Sequence, residues 1–398
     1  MIVQHRPPLH LTYCLNIHPG ESWAENFAAI REKVTAVKAR VAPDEWFGLG
    51  LRIAQQAAAE LTASADLRAE ALALFHEHQL YPFSINGFPY GRFHAGPVKE
   101  NVYAPDWRTP ERLQYTLQLA DILAGWLPEG IDGSISTVPG SFKPWIKTEA
   151  DVEAMVDHLA AAVAHLVALR DRTGREIHLG LEPEPDCFLE TTAETVAFFQ
   201  DTLFSAGASE LARLLKCYRS DAEVMMRRHV GVCFDTCHSA LQYENLADSL
   251  RAYRAADIRI SKVQFSAALQ GAATPETCAA LAPFAEPVYL HQVKARARSG
   301  AQFAWFDLPT ALEEIPGLPD LEEVRVHFHV PLFFTGNGPI ASTADALTPE
   351  FFQELRSGAC SHLEIETYTF DVLPPDVHPG DIVESIAREY AWVLGQLR

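Results

Sequence analysis

The chain has 398 residues, 48% of them hydrophobic, and a formal charge of −20. At a mean hydropathy of −0.03 this is the balance of a globular protein with a large core. So negative a charge repels a phosphate backbone, so no nucleic acid partner is expected. No run of eighteen apolar residues offers a membrane span. The opening MIVQHRPPLHLTYCLNIHPG shows no charged leader ahead of a long apolar stretch. Seven cysteines, an odd number without C-x-x-C spacing, fit reduced, buried thiols and a cytoplasmic protein.

In chain order, short runs rich in β-formers or Gly predict strands over 9–17, 47–53, 80–86, 132–138, 176–182, 230–235, 259–265 and 362–368. Helical segments separate them. SWAE at 22–25 and TTAE at 191–194 read as capping boxes, and Thr109-Pro110 as an N-cap followed by a first-turn proline. The amphipathic stretch from Thr148 predicts a long helix stopped by Gly174. Eight strand–helix alternations imply parallel pairing with right-handed crossovers. A (β/α)8 TIM barrel fits, as one domain over 1–398; a doubly wound sheet would need a phosphate-loop signature, and neither G-x-G-x-x-G nor G-x-x-x-x-G-K-[ST] occurs in the expected place. Two further runs, 287–294 and 323–333, predict an elaborated loop, such as a hairpin, between the seventh and eighth strands.

Alternation along each strand sorts its side chains. In HLGLEPEP, Leu179 and Leu181 face the helices while His178, Gly180 and Glu182 face the barrel axis. GVCFD leaves Asp235 inward, LEIET points Glu364 and Glu366 inward, and Gln264 shares a face with Lys262. In RVHFHV, His327 and His329 share a face with Arg325. These polar groups fall at carboxyl ends of strands, the catalytic rim of barrel enzymes. Carboxylates gathered there repel one another and resist ionisation, and a divalent cation resolves the conflict. Asp, Glu and His donors suit Zn, Mn, Co, Fe or Mg. The metal-ligand candidates are Glu182, Asp235, His238, Gln264, His327, His329 and Glu366. Each alone has a plainer reading: Glu182 as a loop-capping acid, Glu364 paired with Arg325, Cys233 and Cys237 as packing residues, and His178 and His291 as core or supporting histidines.

At these residues the chain resembles the xylose isomerase-like barrel superfamily, which includes sugar epimerases and endonuclease IV-type enzymes. VCFDTCHSA is similar to its sixth-strand Asp-x-x-His element, LEPEP to its fifth-strand Glu, LEIET to its eighth-strand acid, and HFHV to its Asp-x-His stretch. The stretches HLTYCLNIHPGESW, INGFPYG, VYAPDWRTPERL, GSIST, YLHQV, VHFHVPLF and LEIETYTFDVLPP resemble EboE-type metabolite traffic proteins. That resemblance implies handling of a small metabolite beside membrane-associated pathway partners. Two positions depart from the superfamily pattern. Glu184 stands where sugar isomerases carry Lys, against a hydride shift that uses that cation. Gln264 stands where a strand-seven His or Asp is common, which leaves Gln264, His291 and the H-F-H pair as alternatives to complete the site. Asn86, Arg92, His94, Glu184 and His291 are the substrate-contact candidates.

The expected activity is isomerisation or epimerisation of a small polyhydroxy metabolite, a sugar or cyclitol ketone. A metal ion would hold its carbonyl and adjacent hydroxyl while Glu182 and Glu366 move a proton. The alternatives are a non-catalytic metabolite carrier and an endonuclease IV-like phosphodiesterase, the latter opposed by the charge.

Overall fold

The computed structural model describes residues 1–91, 99–370, 373 and 380–398; Arg92 and His94 lie outside them. The strands are β1 Ile2–His5, β2 Pro8–Tyr13, β3 Phe47–Arg52, β4 Leu80–Asn86, β5 Gly133–Thr137, β6 Ile177–Leu181, β7 Val230–Asp235, β8 Arg259–Phe265, β9 Leu269–Ala272, β10 Val293–Ala297, β11 Gln302–Trp305, β12 Leu321–Val326, β13 Ile340–Ser342 and β14 His362–Ile365. Every residue of β3, β4, β5, β6, β7 and β14 is buried, as expected of parallel strands covered on both faces. The order is β1-β2-β14-β8-β7-β6-β5-β4-β3. All neighbours pair in parallel except the antiparallel β1–β2 pair. A parallel bridge from Cys14 to Gly50 brings the two ends of the parallel set together. A Cβ at Gly50 would collide with the Glu364 carboxylate and stand 2.7 Å from Thr12 Cγ2, so only glycine fits this seam. The fold is the (β/α)8 barrel expected.

The helices form where their start signals stand. Ser22–Glu25 and Thr191–Glu194 close as capping boxes. Thr109 precedes a helix that opens with Pro110, without a side-chain cap bond. The helix Glu149–Thr173 opens on a Thr148–Asp151 capping box and ends at Gly174, φ 72°. By length and composition it could cross a membrane, which the count of consecutive apolar residues misses. Here Met155, Val156, Leu159, Ala160, Val163 and Leu166 form a buried stripe, so it serves as an amphipathic layer over the barrel.

The elaboration after β8 is larger than a hairpin. It is a five-stranded antiparallel sheet in the order β11-β10-β12-β9-β13. Most of 287–294 is loop, and β12 ends at Val326. Beyond Val326 the ladder to β10 carries one more bond, His327 N to Gln292 O at 2.8 Å, and the chain then turns away, with Val330 N donating to Ala267 O at 2.9 Å. The second bond ties the end of His-Phe-His to the segment that follows β8.

Inside the barrel, Lys262 Nζ donates to Glu364 Oε1 at 2.6 Å and to Ser84 Oγ at 3.2 Å. Burial opposes the ammonium's charge, but Glu364 outweighs it and holds the group above its ordinary value. The sequence reading offered Arg325 as partner to Glu364; Arg325 instead bonds Glu323 at 2.8 Å. Removing one member of a buried pair strands the other charge. Lys262→Met should therefore cost about 3–5 kcal/mol in chemical denaturation, and Lys262→Met with Glu364→Leu should recover most of it. Equal stability of the single variant and wild type would contradict this.

Candidate metal centre

Each predicted acid stands where a strand stops. Asp235 ends β7, Glu182 follows β6 and Glu366 follows β14. Asp235 is also the N-cap of the helix Thr236–Leu241. Its Oδ1 accepts from His238 N at 3.0 Å and from Ser266 Oγ at 2.7 Å. The capping bond explains the Asp-x-x-His spacing, since an N-cap side chain reaches the amide three residues on and the first helical turn then carries His238 over the same rim. Asp235 Oδ2 and Glu182 Oε2 are buried without a hydrogen-bond partner. Glu366 Oε1 accepts from Asn16 Nδ2 at 2.6 Å and Asn86 Nδ2 at 3.0 Å. Ligand atoms of Glu182, Asp235 and Glu366 all lie within 4.8 Å of one another.

The histidines form a second group that shares Asp235. His238 Nε2 stands 3.2 Å from His327 Nε2, which stands 3.3 Å from His329 Nε2. Each opposite ring nitrogen faces an oxygen: His238 Nδ1 to Pro183 O at 3.1 Å, His327 Nδ1 to Gln292 Oε1 at 2.7 Å, and His329 Nδ1 to Glu366 O at 3.0 Å. Those acceptors place the proton on Nδ1 and leave the lone pair on Nε2. A second proton would make an imidazolium. Burial opposes that, pushing His238 down to about 4, His327 well below its ordinary value with His238 and His329 adding to the effect, and His329 down despite Asp235. The His327 lone pair therefore faces those of both His238 and His329.

This geometry fits a cation. Imidazole nitrogens bound tetrahedrally at about 2.0–2.1 Å to zinc stand roughly 3.3–3.4 Å apart, close to the separations here. Oxygens that accept from the far ring nitrogens are the usual support of metal-bound histidines. The acids carry the complementary strain. Burial and then the Asp235 charge push Glu182 well above its ordinary value; burial, Glu182 and Asp235 do the same to Glu366. Burial also works on Asp235, but His238, His329 and its hydrogen bonds outweigh it and hold it low. A divalent ion would let all three ionise. Asp235 lies within the 4.8 Å grouping of both the acids and the pair His238–His329, and Glu184 groups likewise with His238 and His327. Cys237 also lies near His327 and His329, with burial raising its thiol well above the ordinary value.

The remaining candidates divide. Asn86 lines the pocket and bonds Glu366. Glu184 lines it too, accepting from Tyr103 OH at 2.8 Å, with burial raising it to about 8. Gln264 departs from the expected ligand role: its Oε1 accepts from Cys233 Sγ at 2.8 Å and its Nε2 lies 3.5 Å from Glu364 Oε1. It sits beside the Lys262–Glu364 pair, so its amide is already spent on barrel-interior contacts. His291 is likewise corrected as a substrate contact. Its Nδ1 faces His327 O at 2.9 Å and its Nε2 Glu286 Oε1 at 2.8 Å, so it braces the His327 loop from behind. The sequence reading overlooked Asn16, Ser266, Tyr103 and Gln292. Asn16 and Ser266 follow strands β2 and β8 closely, which is their one visible signal; Gln292 adjoins His291, where the histidine drew the choice.

Above these groups opens a pocket of about 570 Å³ including its mouth. Its floor is Asn16, Asn86, Glu182, Glu366 and the three histidines; Phe88, Tyr103, Tyr289 and Tyr368 are among its walls.

No protein-family model and no curated protein matches the chain. Among solved structures it is similar to a zinc-bound IOLI protein, at 11% identity and TM-score 0.48 over 98% of both chains. It is also similar to an L-ribulose 3-epimerase, at 10% identity and TM-score 0.49 over 98% of this chain and 94% of the other. A xylose isomerase domain-containing protein of Salmonella typhimurium stands at 13% identity and TM-score 0.39, over 98% and 97%.

The neutral histidines make stability depend on pH. His238 takes a proton near 6.5 when unfolded but only at about 4 in the fold. A base depressed by folding costs stability as pH falls from about 6.5 to about 4, here on the order of 3 kcal/mol for one group. In chelator-treated protein, His238→Gln should flatten that decline in chemical denaturation. Equal slopes for the variant and wild type would count against a neutral His238.

Proposed function

We propose that the chain is a divalent-metal-dependent isomerase or epimerase acting on a small polyhydroxy carbonyl compound, sugar-like or cyclitol-like. The observation that carries this reading is the pairing of Glu182 and Glu366 on the pocket floor beside a convergent set of histidine nitrogens. Both carboxyls are raised, Glu182 by burial and Asp235, Glu366 by burial, Glu182 and Asp235. Two carboxyls beside one bound carbonyl compound can divide the proton transfers between them, one accepting from carbon and the other returning a proton to it.

The residues that would hold the ion are His238, His327, His329 and Asp235, with Glu182 and Glu366 adjoining. When bound, the ion would polarise the substrate carbonyl and stabilise the oxygen of an enediolate. The chain's own groups do the rest. One of the two glutamates takes the proton from the carbon next to the carbonyl; the other returns a proton to carbon, to the same atom from the other face in an epimerase or to its neighbour in an isomerase. Asn16 and Asn86 fix Glu366 through Oε1, leaving Oε2 for the proton. Glu184, raised to about 8, supplies a neutral acid able to hydrogen-bond a substrate hydroxyl. The aromatic walls exclude water and offer flat faces to the C–H side of a ring. The resemblance to EboE-type proteins supports placing this step in the synthesis or traffic of a small metabolite with membrane-associated partners. Phosphodiester cleavage on DNA is disfavoured by the charge of −20.

The reading predicts exchange at carbon. Metal-loaded protein in D2O, screened against ketoses and cyclitol ketones, should place deuterium next to the carbonyl of its substrate. Glu182→Gln and Glu366→Gln should each slow this by about 10²-fold or more. Exchange that proceeds equally in both variants, or that fails across the whole set of ketones, would contradict the proposed roles.

A further inference from the structure

The helix Ile382–Leu397 packs outside the barrel, yet it sends one acid inward. Glu389 is 1% exposed. Its Oε1 accepts from Thr367 Oγ1 at 2.7 Å and from the backbone amide of Leu332 at 3.1 Å. Thr367 directly follows Glu366, on the segment leaving β14. Leu332 stands three residues beyond His329, on the segment leaving β12. The two segments touch at two more points: His329 Nδ1 donates to Glu366 O at 3.0 Å, and Thr369 Oγ1 donates to His329 O.

Residues 327–332 and 366–369 belong to no helix or strand. No repeating ladder sets their relative position, so it depends on bonds of this kind. A buried carboxyl is a costly choice for packing alone. What an apolar residue could not supply here is an acceptor that reaches donors on both segments at once.

We propose that Glu389 is a positioning residue for the ion site, a latch on the outer helix that fixes His329 and Glu366 relative to each other. This rests on the reading of the site as a metal centre. The latch acts at a distance: Glu389 touches Thr367 and Leu332, and through them sets where the Nε2 of His329 and the carboxylate of Glu366 stand.

The test uses the full chain, stripped with chelator and titrated with Co2+ alone, reading the dissociation constant and the visible ligand-field bands, with chemical denaturation of the metal-free protein alongside. Glu389→Leu should weaken Co2+ binding on the order of tenfold or more, the range of supporting-residue losses at metal sites, and shift the bands. Glu389→Gln keeps an acceptor oxygen for both donors and should stay near wild type. Thr367→Val removes one arm while nearly preserving shape and should fall between them, which keeps the test usable if Glu389→Leu folds poorly. If Glu389→Leu and Thr367→Val lower stability but leave Co2+ affinity and bands unchanged, Glu389 is a structural acid and the latch is overturned. If wild type takes up no Co2+, the metal-centre reading fails, and the latch with it.

Discussion

The His327 lone pair faces those of His238 and His329 at 3.2 and 3.3 Å; the three repel, and the far nitrogens are already committed to oxygen acceptors. The rings cannot relieve the repulsion by turning without breaking those bonds. They cannot relieve it by protonation, because burial holds the imidazoles neutral. A few ångströms away the acids have the opposite difficulty, with too much negative charge and too little water. One divalent cation between the two groups answers both. Much of the surrounding structure can be read as the apparatus that keeps these groups from moving apart.

That apparatus draws on separate parts of the fold. The barrel strands supply Glu182, Asp235 and Glu366 at their carboxyl ends, where parallel strands all point the same way. A single capped turn brings His238 back over Asp235. The inserted sheet supplies His327 and His329, because β12 ends at Val326 and its continuation bonds back to Gln292 and Ala267. Asp235 joins the parts. One oxygen serves the helix cap and Ser266, and the other has no partner. The cap reading and the ligand reading of this residue are thus compatible, one for each oxygen.

The barrel was legible because its strands are short, buried on both faces and separated by capped helices, a pattern local enough to read along the chain. The three acids were legible because alternation fixes which side a strand residue takes. The inserted sheet was not. Its pairing is non-local, with β9 lying between β12 and β13, and such pairing leaves no mark within either strand. Gln264 shows the limit of alternation. It is inward as read, and its backbone pairs with both Asp235 and Glu364, but its side chain turns to Cys233 and the Lys262–Glu364 pair. The face was predictable; the direction along the barrel axis was not. Asn16 bonds Glu366 350 residues on, Gln292 bonds His327 35 residues on, and Glu389 bonds Thr367 and Leu332 22 and 57 residues back; none of these separations follows a strand or helix period, so neither spacing nor composition could single them out.

The central claim is that a divalent ion sits where these donors converge. A crystal structure of the protein as purified, with anomalous data collected above and below the absorption edge of the metal found in it, tests this most directly. The account predicts one strong anomalous peak in contact with Nε2 of His238, His327 and His329, with an oxygen of Asp235 adjoining. Anomalous maps that are flat at this position in metal-loaded crystals, with the imidazoles hydrogen-bonded through water instead, would contradict it.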